Sequence, residues 1–365
     1  MTTYTKKRVL LILTGGTIAG NVAKNKVSAH VTSAPDDFLT ILKGSIEILK
    51  RNWSIEIEPE VVELFNVDSS DMLPKNWTAL AEKIAESYDD FDAFIILHGT
   101  NTMGYTGAAL SFAFENINKP VILTGAQVPL GYLGSDATTN LVNSLRLAVW
   151  GYHPVKGVLS VFGSAIIQGT RIKKGTDFDY DPFKSFMTGS LGQIGRFIRI
   201  NEPALDKYTS YLSKVKPLAI QSRVLSVKKD FDTAHIASLT EFPGMSPNIF
   251  QSLVENNKIK AFIFRAFGAG DASLNLLSGF EYLKEKEIPI VVTSQAPNGV
   301  ASFQVNASGK ILKDRDLAIP AHDMSIESIT TKLAWLLAQK FSYEQIKHKI
   351  LEDLHGEINI ENELI

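Results

Sequence analysis

The chain has no cysteine among its 365 residues, which excludes disulfides, a thiolate nucleophile and cysteine-ligated metals. Its seven histidines (His30, His98, His153, His235, His322, His348 and His355) are scattered, without the spacing that histidine metal sites show. A metal site is not expected. Charge of one sign is lacking as well. The 37 basic and 39 acidic residues leave a net charge of −2, which gives no electrostatic footing for nucleic acid or an anionic membrane. No apolar run approaches the length of a membrane span. The run that follows the polar, basic residues 1–8 stops at Leu13, short of a signal-peptide core. A soluble, cytoplasmic protein is the expectation.

What is present is the material of a globular protein, with 45% apolar residues and a length that fits two domains. Short β-rich apolar runs alternate with helical patterns, which predicts α/β architecture with parallel strands covered by helices. The expected fold is a larger N-terminal parallel-sheet domain over 1–205 and a smaller C-terminal α/β domain over 218–365. The weakly periodic stretch from Asn201 to Pro217 is read as the linker. Strands are expected at 9–13, 55–64, 93–97, 120–124 and 157–162. Helices are expected at 76–87, 105–117 and 137–149, the last with Asp136 as its N-cap. Beyond the linker, strands are expected at 224–227, 235–239, 260–264 and 288–293. Helices are expected near 248–254 and 274–283, and then over 325–339 and 343–351.

Two strands run directly into threonine-bearing glycine loops. The first is followed by Thr14-Gly15-Gly16-Thr17-Ile18-Ala19-Gly20, and the strand at 93–97 by His98-Gly99-Thr100-Asn101-Thr102-Met103. Open α/β sheets bind ligands at the carboxyl ends of their strands, so each loop can present a hydroxyl to one reacting atom. Neither loop has the spacing of a phosphate cradle. Three further segments are placed for a site. Asp68-Ser69-Ser70-Asp71-Met72 clusters small polar groups suited to the charged ends of an amino acid, or to a helix-capping turn. Thr124-Gly125-Ala126-Gln127 ends a strand with a glycine turn. Gly169-Thr170-Arg171-Ile172-Lys173-Lys174 is a basic loop whose lysine can adjust a threonine's proton or simply be solvated.

Taken in order along nearly the whole chain, these motifs resemble the bacterial-type asparaginase family, and most of all its cytoplasmic type I branch. The resemblance continues into Gly268-Ala269-Gly270-Asp271-Ala272. It implies hydrolysis of an asparagine side-chain amide by a threonine nucleophile, without a cofactor. By position it implies Thr17 as the nucleophile and Thr100 with Lys174 as the pair that manages its proton. It implies Asp68 and Ser69 as holders of the substrate's α-amino and carboxylate groups, and the main chain at Ala126 as part of the surface around the scissile amide. It also implies a homodimer or homotetramer in which the Gly-Ala-Gly loop reaches a neighbouring subunit's site.

The chain departs from that pattern in two respects, an exchange of Asp and Asn at two positions and a missing tyrosine. Asn101 stands where the family has an aspartate that pairs with the substrate's ammonium, and Asp271 stands where it has an asparagine. One expectation is that Asp271 of a partner chain supplies the carboxylate that Asn101 lacks; two independent substitutions are the other. No tyrosine lies between Thr17 and Asp68, where the family carries one; Ser28 or His30 is the available substitute. Two other functions stay open: a small-molecule sensor that kept the fold without turnover, and an amidohydrolase or amidotransferase component with a changed substrate.

Overall fold

The computed structural model describes residues 5–16, 36–151, 155–214 and 225–360. Thr17, Ser28 and His30 lie outside the described residues. The chain divides into two compact units, 1–229 and 230–365.

The first unit begins β1 (Thr5–Leu13), α1 (Asp36–Trp53), β2 (Ile55–Glu63), α2 (Pro74–Glu86), β3 (Ala93–Leu97), α3 (Met103–Ala113), β4 (Pro120–Thr124), α4 (Ala137–Ala148) and β5 (Gly157–Phe162). It continues through β6 (Ala165–Gln168), β7 (Ile172–Lys174), β8 (Phe183–Ser185), β9 (Gly192–Ile194), β10 (Ile198–Ile200) and α5 (Glu202–Lys214). Eight strands form one sheet in the order β10-β9-β6-β5-β4-β3-β1-β2. Strands β1 to β5 pair in parallel, whereas β6, β9 and β10 pair antiparallel, so the sheet is mixed rather than wholly parallel. Both faces of the parallel part are covered, which is why its strands read as unbroken apolar runs: all five residues of β3 are buried. Val9, Leu11, Leu13, Ile95 and Leu97 pack with Phe38 and Leu42 of α1 and Leu141 and Leu145 of α4.

Asn201 to Pro217, expected as a linker, instead carries α5 as far as Lys214. Leu205, Tyr208 and Tyr211 are buried at helical spacing, and the Tyr208 hydroxyl donates to the Val158 carbonyl at 3.2 Å. Asp136 precedes α4 as expected but makes no side-chain cap. Its carboxylate accepts the backbone N–H groups of Gln127 and Val128 and the Asn140 amide instead. Of the strand expected at 224–227, Val227 forms an isolated bridge to Phe114, and Val224 lies outside the described residues.

The second unit contains β11 (Ile236–Thr240), α6 (Asn248–Asn257), β12 (Ala261–Ala266), α7 (Leu277–Glu285), β13 (Ile290–Ser294), α8 (Ala307–Asp314), β14 (Ile319–Pro320), α9 (Ile326–Ala338) and α10 (Tyr343–Leu351). Its four strands are parallel in chain order. Phe250, Phe262, Phe264 and Phe280 fill its core as tilted and edge-on pairs. Among the described residues no helix is long and apolar enough to cross a membrane.

Candidate active site

The strand order reverses once within the parallel part of the sheet. From β1 the chain moves out to β2, then returns across β1 to β3 and proceeds through β4 to β5. At such a switch point the connections leave in opposite directions and open a crevice at the strands' carboxyl ends. The two threonine loops follow β1 and β3, the two strands that flank this point.

The loops meet there at close range. Gly16, with φ of +80°, holds a backbone conformation that L side chains rarely adopt, and a Cβ on it would lie 2.8 Å from the Gly99 backbone. The side chain and backbone of Thr14 both bond the Leu97 carbonyl, at 2.9 and 3.2 Å, which ties the exit of β1 to the end of β3. His98 is fully buried. Its Nδ1–H donates to the Gly99 carbonyl at 2.6 Å, and its Nε2 lies 2.8 Å from the Thr106 hydroxyl. Trp77 donates to that same hydroxyl at 3.2 Å, so Thr106 gives its own proton to Nε2 and the imidazole is neutral.

Burial lowers the His98 pKa to about 4, against a weaker upward pull from its bond to Gly99. The ring is thus a brace for the second threonine loop rather than a general base. The shift from 6.5 to about 4 makes folding depend on pH. A base whose folded pKa is depressed gives stability that is complete above its unfolded pKa and is lost as pH falls toward the folded one. For His98 the loss should reach about 3 kcal/mol between pH 6.5 and 4. NMR of the imidazole should show a neutral ring down to about pH 4. Titration near the ordinary value would contradict this.

Lys174 arrives on a segment that packs against α3. Gly107 on α3 and Gly169 approach reciprocally: a Cβ on either would sit within 2.9 Å of the other's carbonyl oxygen. That contact lets the segment leading into β7 lie against α3 and delivers Lys174 to the loop at α3's start. Its Nζ donates to Thr100 Oγ1 at 2.8 Å and to Asn101 Oδ1 at 2.9 Å. Lysine offers no acceptor, so the Asn101 oxygen must face it. The Asn101 Nδ2 then donates to Ser70 Oγ at 3.0 Å. Burial lowers the Lys174 pKa below that of an ordinary lysine, opposed by the charge of Asp177. Both hydrogen-bonded acceptors on the amine are neutral, so nothing bonded to it counters that shift.

Ser69 accepts from the Asn101 backbone at 3.2 Å, and its carbonyl accepts the Thr102 hydroxyl at 2.7 Å. Asp68 caps the following 3-10 turn by accepting the Ser70 N–H at 2.7 Å, so that segment is both a capping turn and a wall of the crevice. Thr100, Asn101, Lys174 and Ser69 are therefore brought together. Ala126 is 1% exposed at the exit of β4, next to the loop that follows β3. Asp271 lies in the second unit, on the turn after β12. Its carboxylate accepts from Asn306 at 2.5 Å and from Ser308 at 3.2 Å. Ser70 is the neighbour that inspection of the motifs passes over, although it stands inside the quoted Asp-Ser-Ser-Asp run. Among the described residues no group of three His, Asp or Glu side chains could hold a metal ion.

A hydroxyl–amine pair at the switch point of an α/β sheet defines a class of site suited to moving a proton on or off an oxygen nucleophile. Residues 8–205 match the family described as Asparaginase, N-terminal, and residues 235–349 match the Glutaminase/Asparaginase C-terminal domain. The chain is 35% identical over 361 residues to L-asparaginase 1 of Escherichia coli K12, covering 97% of this chain and 98% of that protein. It is 29% identical over 353 residues to the L-asparaginase of Thermococcus kodakarensis, covering 96% of this chain and 99% of that protein. The crystal structure of L-asparaginase I from Vibrio cholerae superposes with a TM-score of 0.79 at 31% identity, covering 98% of this chain and all of that one. The chain belongs to the asparaginase family.

Proposed function

We propose that this protein hydrolyses the side-chain amide of L-asparagine to aspartate and ammonia, in the cytoplasm and without a cofactor. The single observation that carries the reading is the Lys174–Thr100 hydrogen bond at the β1/β3 switch point. Thr17 attacks the amide carbon, ammonia leaves, and water then cleaves the resulting ester to free aspartate and regenerate the hydroxyl. Thr100 and Lys174 handle the proton of the attacking group. The lowered pKa of Lys174 supports this, because an amine must be neutral to accept a proton. Asp68 and Ser69 hold the α-amino and carboxylate groups, Asn101 lines the same wall, and the main chain at Ala126 holds the scissile amide.

The working form is a homodimer or homotetramer, in which Asp271 of a second copy supplies the carboxylate that Asn101 does not. The neutral side chain of Asn101 favours one competing reading, a protein that binds amino acids without turning them over.

Ammonia release from asparagine, glutamine and related amides separates these readings, measured for the unmodified protein and for Asp271→Asn. Release from asparagine is expected, with the KM rising about tenfold or more in the variant. Tight binding of an amide without release would support the sensor. An unchanged KM would remove Asp271 from the site.

A further inference from the structure

Ala126 is 1% exposed, yet among the described residues neither its N–H nor its carbonyl has a hydrogen-bond partner. Buried backbone groups are almost always paired, so a residue with both left open calls for an explanation. The preceding carbonyl has a definite partner. Gly125 O accepts from Asn140 Nδ2 at 2.9 Å. Across a trans peptide, the carbonyl of Gly125 and the N–H of Ala126 point in opposite directions. Fixing one beneath α4 therefore aims the other away from α4.

Asn140 is fully buried and spends its whole side chain on this corner. The same Nδ2 donates to Asp136 Oδ2 at 2.9 Å, and Oδ1 accepts the Gly163 N–H from the turn between β5 and β6 at 2.8 Å. Asp136 in turn holds the N–H groups of Gln127 and Val128 at 3.0 Å each, the two residues that follow Ala126. The peptide is thus pinned on both sides, and position 125 leaves no room for adjustment: a Cβ there would lie 2.3 Å from His98 O.

We infer that Asn140 is a positioning residue: it orients the Gly125–Ala126 peptide so that the Ala126 N–H is an open donor, and through Asp136, which holds the Gln127 N–H, it supports the next peptide, whose Ala126 carbonyl is the open acceptor for the amide being cleaved. A primary amide carries one strong acceptor and two donor hydrogens, so it can use both. The inference rests on the amide-hydrolysis reading above. Asn140 touches no reacting atom and acts through the main chain.

The test uses the full-length protein and asparagine. Asn140→Ala is expected to lower kcat about 100-fold while KM changes less than threefold. Tyr208→Phe, which removes a buried hydrogen bond elsewhere in the same unit, should keep kcat within twofold. Asn140→Asp supplies a sharper readout. Its ionised carboxylate repels the Gly125 carbonyl, whereas its protonated carboxyl can donate to it. Relative to the unmodified protein, its kcat should recover as pH falls through the titration of that carboxyl.

A kcat within threefold of normal in Asn140→Ala would overturn the inference, as would a flat kcat ratio against pH in Asn140→Asp. If Asn140→Ala fails to fold, the Asn140→Asp profile decides alone. Failure of the unmodified protein to release ammonia from any amide would overturn the hydrolytic reading and this role with it.

Discussion

A Lys174→Met variant is expected to lose about 10³-fold in kcat, with a much smaller change in KM. Methionine keeps the length and apolar stem of lysine, so the loss isolates the amine. That amine is bonded to the Thr100 hydroxyl at 2.8 Å, and burial holds its pKa below the ordinary lysine value. The sign of the pH dependence follows: a base works when neutral, so kcat should rise with pH until Lys174 is deprotonated, on a limb lying below that of a free lysine. The limb should vanish in Lys174→Met. Thr100→Val should cost about as much as Lys174→Met, and the double variant should cost little more than either alone, because the two groups act as one unit. Multiplying losses in the double variant would mean that they act separately.

The second large effect is structural. In the second unit Lys332 and Glu357 are both fully buried, with Nζ 2.6 Å from Oε1. Lys332 also donates to the carbonyls of Ile350 and Glu352, which anchors α9 to the turn that ends α10. Glu357 accepts the N–H groups of Leu354 at 3.2 Å and His355 at 2.7 Å. Burial pushes the Glu357 carboxyl up, but Lys332 and the bonds around it hold it below the usual range.

A charge left alone in such a place is costly, so Lys332→Met should destabilise the protein by about 3–5 kcal/mol. Lys332→Met combined with Glu357→Met should recover part of that, since the orphaned charge is then gone. Urea unfolding of the single and double variants measures both, and a single-variant loss below about 1 kcal/mol would contradict the account of the pair. Burial also lowers the neighbouring His355 to about 4, so acid should weaken this corner in the same direction as it weakens His98.

The strands at 93–97, 120–124 and 157–162 can be read from sequence to the residue because parallel strands covered on both faces are unbroken apolar runs. Strands β7 to β10 cannot, since three residues are too few to establish a period. Helix α1 carries a legible stripe of Phe38, Leu42, Ile46 and Leu49, which a reading led by motifs passes over. Asn201 to Pro217 looks like a linker because its two prolines and its lysines mask the buried spacing of Leu205, Tyr208 and Tyr211.

In the site, the loops carrying Thr100 and Lys174 are visible as motifs, but their meeting depends on the Gly107–Gly169 contact between segments far apart in the chain. Ser70 and Asn140 stay hidden for a related reason. One sits inside a motif that already has an explanation, and the other looks like any polar residue of a helix. Only the hydrogen bonds to Asn101 and Gly125 single them out.

The most direct measurement is rapid acid quench of the protein during turnover of asparagine, followed by peptide mapping by mass spectrometry. An aspartyl ester on the peptide that carries Thr17 is expected, formed as ammonia is released and absent in Thr17→Val, which should release no ammonia. Ammonia release that persists in Thr17→Val, or an ester found on Thr100 instead, would contradict the assignment of the nucleophile.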